Sequence, residues 1–286
     1  MTSAQLLGSG VQRVHIVGIA GAGMSGIATA LLDLKLGVSG SDIRSTSTTD
    51  RLRSEGATIR QGHAADHVKE ADLVVHSAAV PACNVELAEA RKRGVPVTTR
   101  AAIIAELFNE SQGIAVAGTH GKSTTGAMTA SVLRETGHDP SFLLGAASPS
   151  LGGTNGRYRR GSWMVVEADE FDSAFLSYQP DIAVLTHLDR DHIDYFGSEP
   201  QMREAFRAFI TGVPTTAHLV ARGDIPELRE VASQAVVDTI WFGAGEAWDL
   251  RSYTAGPNGT QVDFHTPHGS FTHNLKVRGR HNAWNA

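Results

Sequence analysis

The sequence predicts an α/β protein with two domains, each built around a parallel sheet. Short apolar segments alternate with helical segments along the chain, which is the pattern of a parallel sheet covered by helices. Glycine is abundant, at 30 of 286 residues, and two glycine clusters follow apolar segments where a strand is predicted to turn into a helix. The chain length suits about two domains of ordinary size.

Residues 1–110 are predicted to form a Rossmann-like domain. Its predicted strands are Val14–Ile19, Val38–Asp42, Asp72–Ser77 and Val95–Thr98. A glycine turn follows the first strand, and a helix is predicted from about Met24 to Lys35. Gly21–Gly26 matches G-x-G-x-x-G and Asp42 ends the next strand, as the diphosphate turn and the ribose-binding acid do in dinucleotide folds. Taken alone, this favours an NAD-dependent oxidoreductase, although a structural glycine turn gives the same pattern.

Residues 111–286 are predicted to form a P-loop-type α/β domain, after a polar linker at 109–113. Ile114–Ala117 is a predicted buried strand, Gly118–Gly121 a turn and Lys122 the start of a helix. Backbone N–H groups and the helix dipole favour an anion at such a turn. Lys122 is predicted to reach the outer phosphates and Ser123 to bind Mg²⁺. The turn is short, because Val116 stands where a P-loop has its first glycine.

The alternation continues to the end of the chain. Residues 123–135 and 200–210 are predicted helices, and Gly152–Gly156 is a predicted glycine-rich loop. Further predicted strands are Trp163–Glu167, Ile182–Thr186, His218–Ala221 and Val237–Phe242. A hairpin is predicted at Tyr253–Thr266 with its turn at Pro257–Gly259, and Ser270–Val277 is predicted to pair next.

Two strands of the second domain are followed by polar, mostly acidic residues, Glu167–Asp172 and His187–Asp194. Ligands in open α/β sheets lie at the carboxyl ends of the strands. We therefore expect the Lys122 turn, the Glu167 cluster and the His192 cluster to form one site. Glu167 is the best Mg²⁺ ligand among them, because Mg²⁺ prefers oxygen donors between carboxylates and phosphates. Solvated loop residues remain the alternative reading of these clusters.

Composition argues against several classes of protein. The net charge of −5 argues against nucleic acid as the main partner. The single cysteine, Cys83, allows no intrachain disulfide and fits the reducing cytoplasm. We find neither a signal peptide nor an apolar run near the ~20 residues of a membrane helix. The sequence therefore predicts a cytoplasmic protein without membrane insertion, and it leaves the oligomeric state open.

Several motifs, in order, resemble the Mur ligase family of ATP-dependent amide-forming enzymes. Gly118–Ser123, read Gly-Thr-His-Gly-Lys-Ser, is similar to the family's short phosphate loop, and its histidine is typical of the branch that acts on UDP-N-acetylmuramate. The other resembling segments are Val17–Ala28, Ser39–Asp42, Ser77–Pro81 with Asn84, Arg100–Leu107, Glu167–Asp172, Asp191–Asp194, and His281–Asn282 with Asn285. The resemblance covers nearly the whole chain.

The resemblance implies roles for the matched residues. UDP-N-acetylmuramate would contact Gly21, Ala22, Gly23, Met24, Ser25, Asp42 and Ser77, with Thr154 and Asn155. ATP would contact Gly118, Thr119, Gly121, Lys122, Ser123 and Thr124, with His281 and Asn282 near the adenine. Mg²⁺ would be held by Ser123, Glu167 and His192. The implied catalytic residues are Lys122, Glu167, His192 and His120. For His120, contact with the substrate carboxylate and a purely structural role are about equally good explanations.

The implied reaction joins L-alanine to UDP-N-acetylmuramate in peptidoglycan synthesis, which serves cell shape and division. ATP phosphorylates the lactyl carboxylate, and the amine of L-alanine then attacks the acyl phosphate. The family also has a C-terminal domain that carries the amino-acid site, and we assign no part of these 286 residues to it. We therefore expect this chain alone to bind its ligands without forming the amide.

The sequence departs from the family pattern at two positions, and three alternative functions remain. Ala20 stands where the family has glycine, and Phe171 where the favoured branch has serine. The alternatives are a recycling ligase that attaches a ready-made tripeptide to the same nucleotide sugar, an NAD-dependent oxidoreductase, and a non-catalytic nucleotide-binding module. An oxidoreductase leaves Lys122, Glu167 and His192 unexplained.

Overall fold

The computed structural model of the chain describes residues 6–8, 10–169, 175–189 and 198–286. Two compact units divide the chain: the first unit is Met1–Gln112 with Leu133–Val165, and the second unit is Gly113–Val132 with Val166–Ala286. The predicted domain boundary between residues 110 and 111 stays a prediction. Among the described residues, every helix is too short or too polar to cross a membrane.

A parallel sheet forms the centre of the first unit. Its strands are β1 (Arg13–Val17), β2 (Gly37–Asp42), β3 (Thr58–Gln61), β4 (Leu73–His76) and β5 (Val97–Thr99), in the order β3-β2-β1-β4-β5. All neighbouring strands are parallel. Val14–Val17 are buried without interruption, so both faces of β1 are covered, as expected in a parallel α/β sheet. The strand order reverses between β1 and β4, where such folds bind ligands.

Strand β3 is absent from the sequence prediction, which gave the sheet four strands. Its sequence, Thr58-Ile-Arg-Gln61, carries one large apolar side chain and lies at the edge of the sheet, with most residues exposed. An edge strand buries little, so the hydrophobic pattern that identifies strands is missing here. The other four predicted strands are present within two residues of their predicted starts.

Four helices accompany this sheet: α1 (Ala22–Asp33), α2 (Ser47–Ser54), α3 (Val85–Lys92) and α4 (Arg100–Asn109). Helix α1 begins two residues before the predicted Met24, and Met24–Leu31 are all buried. Side chains cap the other three helices, from Thr46, Asn84 and Thr99. Helix α1 has no side-chain cap, since Gly21 occupies its N-cap position.

The chain next forms β6 (Gln112–Ala117) and α5 (Lys122–Glu135), and then β7 (Ser141–Ser148) and β8 (Thr154–Arg157). Strands β7 and β8 pair antiparallel within the first unit. The predicted glycine-rich loop at 152–156 is therefore only partly correct. Gly152 and Gly153 form the turn with positive φ, whereas Thr154, Asn155 and Gly156 belong to β8. The reason is burial: β8 packs against α1, and a loop prediction from glycine content cannot register that contact.

The contact between α1 and β8 brings two glycine backbones together. A Cβ placed on Gly156 would lie 2.5 Å from the Cα of Gly26. We expect Gly156→Ala to lower the free energy of unfolding by about 1–3 kcal/mol, since the added methyl group must displace backbone. Urea unfolding measures the change. Gly10→Ala is the control, because no atom lies within 4 Å of its added Cβ. If Gly156→Ala is as stable as the parent, the backbones of Gly26 and Gly156 are not in close contact.

A fully buried carboxylate, Glu86 on α3, lies under the sheet among three histidines. Its oxygens accept hydrogen bonds from Ser41 Oγ at 2.6 Å and contact His63 Nδ1 at 2.8 Å and His67 Nδ1 at 2.6 Å. His15 Nε2 lies 3.6 Å away, beyond hydrogen-bond distance, so its effect is electrostatic. Burial alone would raise the pKa of Glu86, but these contacts outweigh burial and lower the pKa from 4.5 to about 2.

This cluster predicts a pH-dependent contribution to stability. Because the folded pKa of Glu86 lies below its ordinary value, the ionised carboxylate stabilises the fold above about pH 4.5, and the contribution is lost as the pH falls towards 2. We expect Glu86→Gln to lower the free energy of unfolding by about 3 kcal/mol at pH 7, with a smaller difference from the parent below pH 4. Glu89→Gln, on the same helix, is the control. If the difference in free energy of unfolding between Glu86→Gln and the parent does not change with pH, the ionised Glu86 carboxylate is not the source of the stabilisation.

The second unit contains a parallel sheet, a three-stranded antiparallel sheet and a C-terminal helix. The chain continues with β9 (Trp163–Glu167), whose last two residues belong to this unit. The elements after it are β10 (Ile182–Leu185), α6 (Glu199–Thr211), β11 (His218–Arg222), α7 (Pro226–Ala232), β12 (Thr239–Phe242), β13 (Asp249–Gly256), β14 (Gly259–Thr266), β15 (Gly269–Leu275) and α8 (Arg280–Asn285). Five strands lie in the order β12-β11-β10-β6-β9. The pairs β12–β11, β11–β10 and β10–β6 are parallel, and a parallel orientation was predicted for β10.

The antiparallel strands confirm the predicted hairpin. β13 pairs with β14 through a turn at Pro257 and Asn258, and β15 pairs next with β14.

Helix α7 is absent from the sequence prediction, which described nothing between the strands at 218 and 237. It is short, so it offers few residues from which to read a helical period.

Candidate functional site

The turn between β6 and α5 has the geometry of a phosphate loop, as predicted. β6 ends at Ala117 and α5 begins at Lys122. Gly118 and Gly121 have φ angles of 133° and 85°, which disfavour any residue with a Cβ. A Cβ on Gly118 would also lie 2.9 Å from the backbone nitrogen of His187. The glycines thus allow the turn itself and a close approach by the segment that follows β10.

Hydrogen bonds attach this turn to the end of β10. Thr119 N donates to His187 O at 2.9 Å, and Thr186 Oγ1 donates to His120 O at 2.5 Å. Asp189 N in turn donates to Thr119 Oγ1 at 3.0 Å. The expectation that the polar ends of neighbouring strands meet therefore holds for β6 and β10, because the two strands are in parallel register.

Lys122, Ser123 and Glu167 converge at the same place. Lys122 is buried, and its Nζ donates to Gly118 O at 2.7 Å across the loop. Ser123 Oγ donates to Glu167 Oε2 at 2.6 Å, where Glu167 ends β9. An ammonium, a hydroxyl and a carboxylate thus lie at the start of α5, where the helix dipole favours an anion. His192 and Phe171 lie outside the described residues, and the predicted roles of all these residues stay predictions.

A cavity of about 640 Å³ lies between this loop, the end of β10, Arg222 and helix α8. Thr124, His281 and Asn285 line it, whereas Asn282 does not; the Asn282 side chain donates to Arg278 O at 2.7 Å. Asn285 closes one side, since a Cβ on Gly121 would lie 2.5 Å from its Oδ1. The cavity therefore combines loop residues predicted to contact phosphate with α8 residues predicted to lie near adenine.

Arg222 and Trp284 line this cavity, and the sequence analysis predicts a site role for neither of them. The guanidinium carbon of Arg222 lies 4.5 Å from the centre of the Trp284 ring. Two nitrogens of the same guanidinium contact the Asp224 carboxylate at 2.7 and 3.1 Å. An isolated arginine at a strand end gives no signal in the sequence, because its partners come from other elements.

Charges around the cavity favour an uncharged His187. Burial lowers the pKa of this imidazole most, and electrostatic interactions with Arg222 and His120 lower it further. Burial alone would raise the pKa of Asp224, but its contacts with Arg222 lower that pKa, so the pair stays ionised. At neutral pH the cavity wall thus presents a neutral imidazole beside a compensated ion pair.

A second candidate site lies in the first unit, at the turn between β1 and α1. Gly18 N and Ile19 N donate to Ser41 O at 2.8 and 3.1 Å, and Ala20 N donates to Asp42 Oδ2 at 3.0 Å. The carboxylate of Asp42 therefore holds the turn, and its Oδ1 accepts from Arg44 N at 3.2 Å. Ser77 directly follows β4, the neighbour of β1.

The start of α1 has an arginine beside it. A Cβ on Gly23 would lie 2.6 Å from Nη1 of Arg100, so the guanidinium lies directly against this glycine. Gly21 and Ala22 are exposed, and no side chain caps the helix. A helix N-terminus next to a guanidinium favours an anion. Arg100 began one of the resembling motifs, but we predicted no binding role for it.

The remaining predicted substrate residues of this unit are buried between α1 and β8. Ser25 Oγ donates to Asn155 Oδ1 at 3.4 Å, and Asn155 Nδ2 donates to the backbone oxygen of Ala22. Met24 and Thr154 are also buried. The Asn155 side chain thus holds the start of α1 against β8, and the predicted contact of these residues with a substrate stays a prediction.

Comparisons with known proteins agree with the motifs. Residues 13–112 match the catalytic domain of the Mur ligase family, and residues 116–286 match the Mur ligase middle domain. The chain is 41% identical over 283 residues to a UDP-N-acetylmuramate–L-alanine ligase from Trichlorobacter lovleyi and 39% identical over 279 residues to one from an Anaeromyxobacter species. Each alignment covers 96% of this chain but only 61% and 60% of the relative. The chain thus spans about three fifths of their length.

Solved structures show the same likeness. The crystal structure of UDP-N-acetylmuramate-alanine ligase from Thermotoga maritima matches with a TM-score of 0.84 and 29% identity, over 96% of this chain and 62% of that one. The crystal structure of a UDP-N-acetylmuramate:L-alanyl-gamma-D-glutamyl-meso-diaminopimelate ligase from Neisseria meningitides matches with a TM-score of 0.85 and 26% identity, over 96% and 90% of the two chains.

Proposed function

The chain belongs to the Mur ligase family, and we propose that it supplies the nucleotide-sugar and ATP sites of a ligase that joins L-alanine to UDP-N-acetylmuramate in peptidoglycan synthesis. The observation that carries this proposal is the convergence of Lys122, Ser123 and Glu167 at the phosphate loop. The names of the similar relatives supply the substrates. The exposed, single Cys83 suits the cytoplasm, where we propose that the protein acts.

The chain's own residues define how the second unit would treat ATP. The N–H groups at the start of α5 would face the phosphates. Lys122 Nζ, which here donates to Gly118 O, would contact them as well. The cavity beside α8 would take the adenine. This arrangement holds the phosphoryl group in place and stabilises the charge that develops as it is transferred to the sugar's carboxylate.

The residues at the end of β9 fit a magnesium ion. Ser123 Oγ and Glu167 Oε2 are hard oxygen donors that already lie 2.6 Å apart, and Mg²⁺ binds between such donors and phosphate oxygens. When bound there, Mg²⁺ would neutralise part of the phosphate charge. We propose His192 as a further ligand from the family resemblance alone.

The first unit would hold the diphosphate of UDP-N-acetylmuramate at the start of α1. Exposed backbone at Gly21 and Ala22, together with the guanidinium of Arg100, supplies the positive potential. Asp42 acts indirectly in this arrangement, since its carboxylate is bonded to the turn.

Arg100 gives a test of this site. We expect Arg100→Gln to weaken UDP-N-acetylmuramate binding about tenfold or more, because a charge-assisted contact to phosphate contributes about 1.5–3 kcal/mol. Arg91→Gln, an exposed arginine on α3, is the control. Calorimetric titration measures both. Equal affinities for the two variants would place the diphosphate elsewhere.

Binding of UDP-N-acetylmuramate and of NAD, measured side by side by calorimetry, tests the proposed function as a whole. We expect binding of the sugar nucleotide and none of NAD. Tight NAD binding without sugar-nucleotide binding would replace the proposal with the oxidoreductase.

The recycling ligase remains the second candidate, and the similarity to the Neisseria structure favours it. The acceptor distinguishes the two ligases. With the whole protein, phosphate release that depends on L-alanine supports the first candidate, whereas release that depends on the tripeptide supports the second.

A further inference from the structure

Three side chains in the second unit, His120, His187 and Asp189, form a cluster beside the cavity proposed for ATP, which His120 and His187 also line. One ligand atom from each lies within 4.8 Å of those of the other two. The rings of His120 and His187 have their centres 5.4 Å apart and are tilted by 52°. His120 and Asp189 are exposed and His187 is half-buried, so an ion can reach the cluster from solvent.

The backbone already holds the three residues together. Thr119 N, next to His120, donates to His187 O at 2.9 Å, and Asp189 N donates to Thr119 Oγ1 at 3.0 Å. The same Thr119 hydroxyl lies 3.4 Å from Nδ1 of His187, which leaves Nε2 of that ring for a ligand. Hydrogen bonds of this kind orient metal-binding histidines in known sites. The folded chain therefore already holds the three residues close together, so a bound ion does not have to bring them into place.

The donor chemistry selects the class of ion. Two imidazoles and one carboxylate suit zinc and its first-row neighbours, whereas Mg²⁺ prefers oxygen donors and retains its water. Arg222, which lines the same cavity as His120 and His187, is already paired with Asp224 at 2.7 Å, which reduces its repulsion of a cation. The cluster shares no residue with the Ser123–Glu167 pair.

We infer that His120, His187 and Asp189 form a binding site for a transition-metal dication of the Zn²⁺ class. The site is separate from the proposed magnesium ligands Ser123 and Glu167, and it completes its coordination with water or with a ligand in the adjacent cavity. This inference does not depend on the proposed ligase reaction, because the ion binds to the folded chain alone.

Cobalt(II) is the probe, since its visible spectrum reports nitrogen and oxygen coordination. Titration of the protein without nucleotide and without Mg²⁺ is expected to show about one equivalent bound at this site, displaced by Zn²⁺ and retained in millimolar Mg²⁺. His120→Asn and His187→Asn are each expected to weaken Co²⁺ binding about tenfold or more. His218→Asn, a histidine exposed at the start of β11, is the matched control, and Glu167→Gln distinguishes the two sites.

The outcomes divide clearly. Weaker binding in both histidine variants, with parental binding in His218→Asn and Glu167→Gln, supports the site. Unchanged titrations in the histidine variants, or a loss confined to Glu167→Gln, overturn it. If a variant does not fold, nitrogen–proton spectra of the histidine rings in the parent protein replace it as the test. During a Zn²⁺ titration, the assigned ring signals of His120 and His187 are expected to shift before those of other histidines. An earlier shift at other histidines overturns the inference.

Discussion

Lys122→Ala is expected to reduce ATP binding or phosphoryl transfer about 100-fold or more, because one preorganised charge at a phosphoryl group contributes on that scale. Lys122 is buried at the start of α5 and donates across the loop to Gly118 O. The same ammonium would contact the phosphates. Fluorescent-nucleotide binding and, with the whole protein, phosphate release measure the two effects.

The fold should survive this substitution. Alanine favours a helix start no less than lysine does, and the lost bond to Gly118 O costs about 1 kcal/mol. Lys69→Ala removes an exposed lysine from the first unit and is the control for the loss of charge. If Lys122→Ala binds and transfers like Lys69→Ala, the turn after β6 is not a phosphate loop.

Glu167→Ala is expected to raise the Mg²⁺ concentration needed for half-maximal nucleotide binding about tenfold or more, since it removes a charged oxygen ligand. The substitution also removes the acceptor of the Ser123 hydroxyl. A magnesium titration at fixed ATP concentration measures the shift. We expect Ser123→Ala to shift the titration in the same direction but less, because it removes a neutral ligand.

Glu204→Ala, an exposed carboxylate on α6, controls for the change in net charge. Thermal unfolding of each variant separates a binding defect from a folding defect. Magnesium titrations of Glu167→Ala that coincide with those of the parent, in a folded protein, would make the Ser123–Glu167 contact purely structural.

The strand, glycine turn and helix start at 114–122 could be predicted from the sequence because their determinants are local. The turn between the strand and Lys122 has positive φ at Gly118 and Gly121, a conformation that glycine adopts without strain. The approach of β10 to this turn followed from the parallel order of the sheet. Both inferences need only neighbouring residues and a general rule of topology.

The rest depends on contacts between residues far apart in the chain. Arg100 reaches Gly23, and Asn155 bonds to Ala22, across separations that no local pattern records. The Glu86 cluster collects groups from two strands, a loop and two helical segments, so its members look like unrelated polar residues in the sequence. Strand β3 was missed for the opposite reason, since it buries too little to leave a pattern.

The closeness of Gly26 and Gly156 changes how the first glycine motif is understood. Gly26 is its third glycine, yet the added Cβ would meet Asn155 O at 3.2 Å rather than open solvent. The space at this position is therefore limited by β8, about 130 positions later in the chain. Among related chains, small residues at the two positions are expected to covary, and a larger residue at one would call for a compensating shift in the other segment.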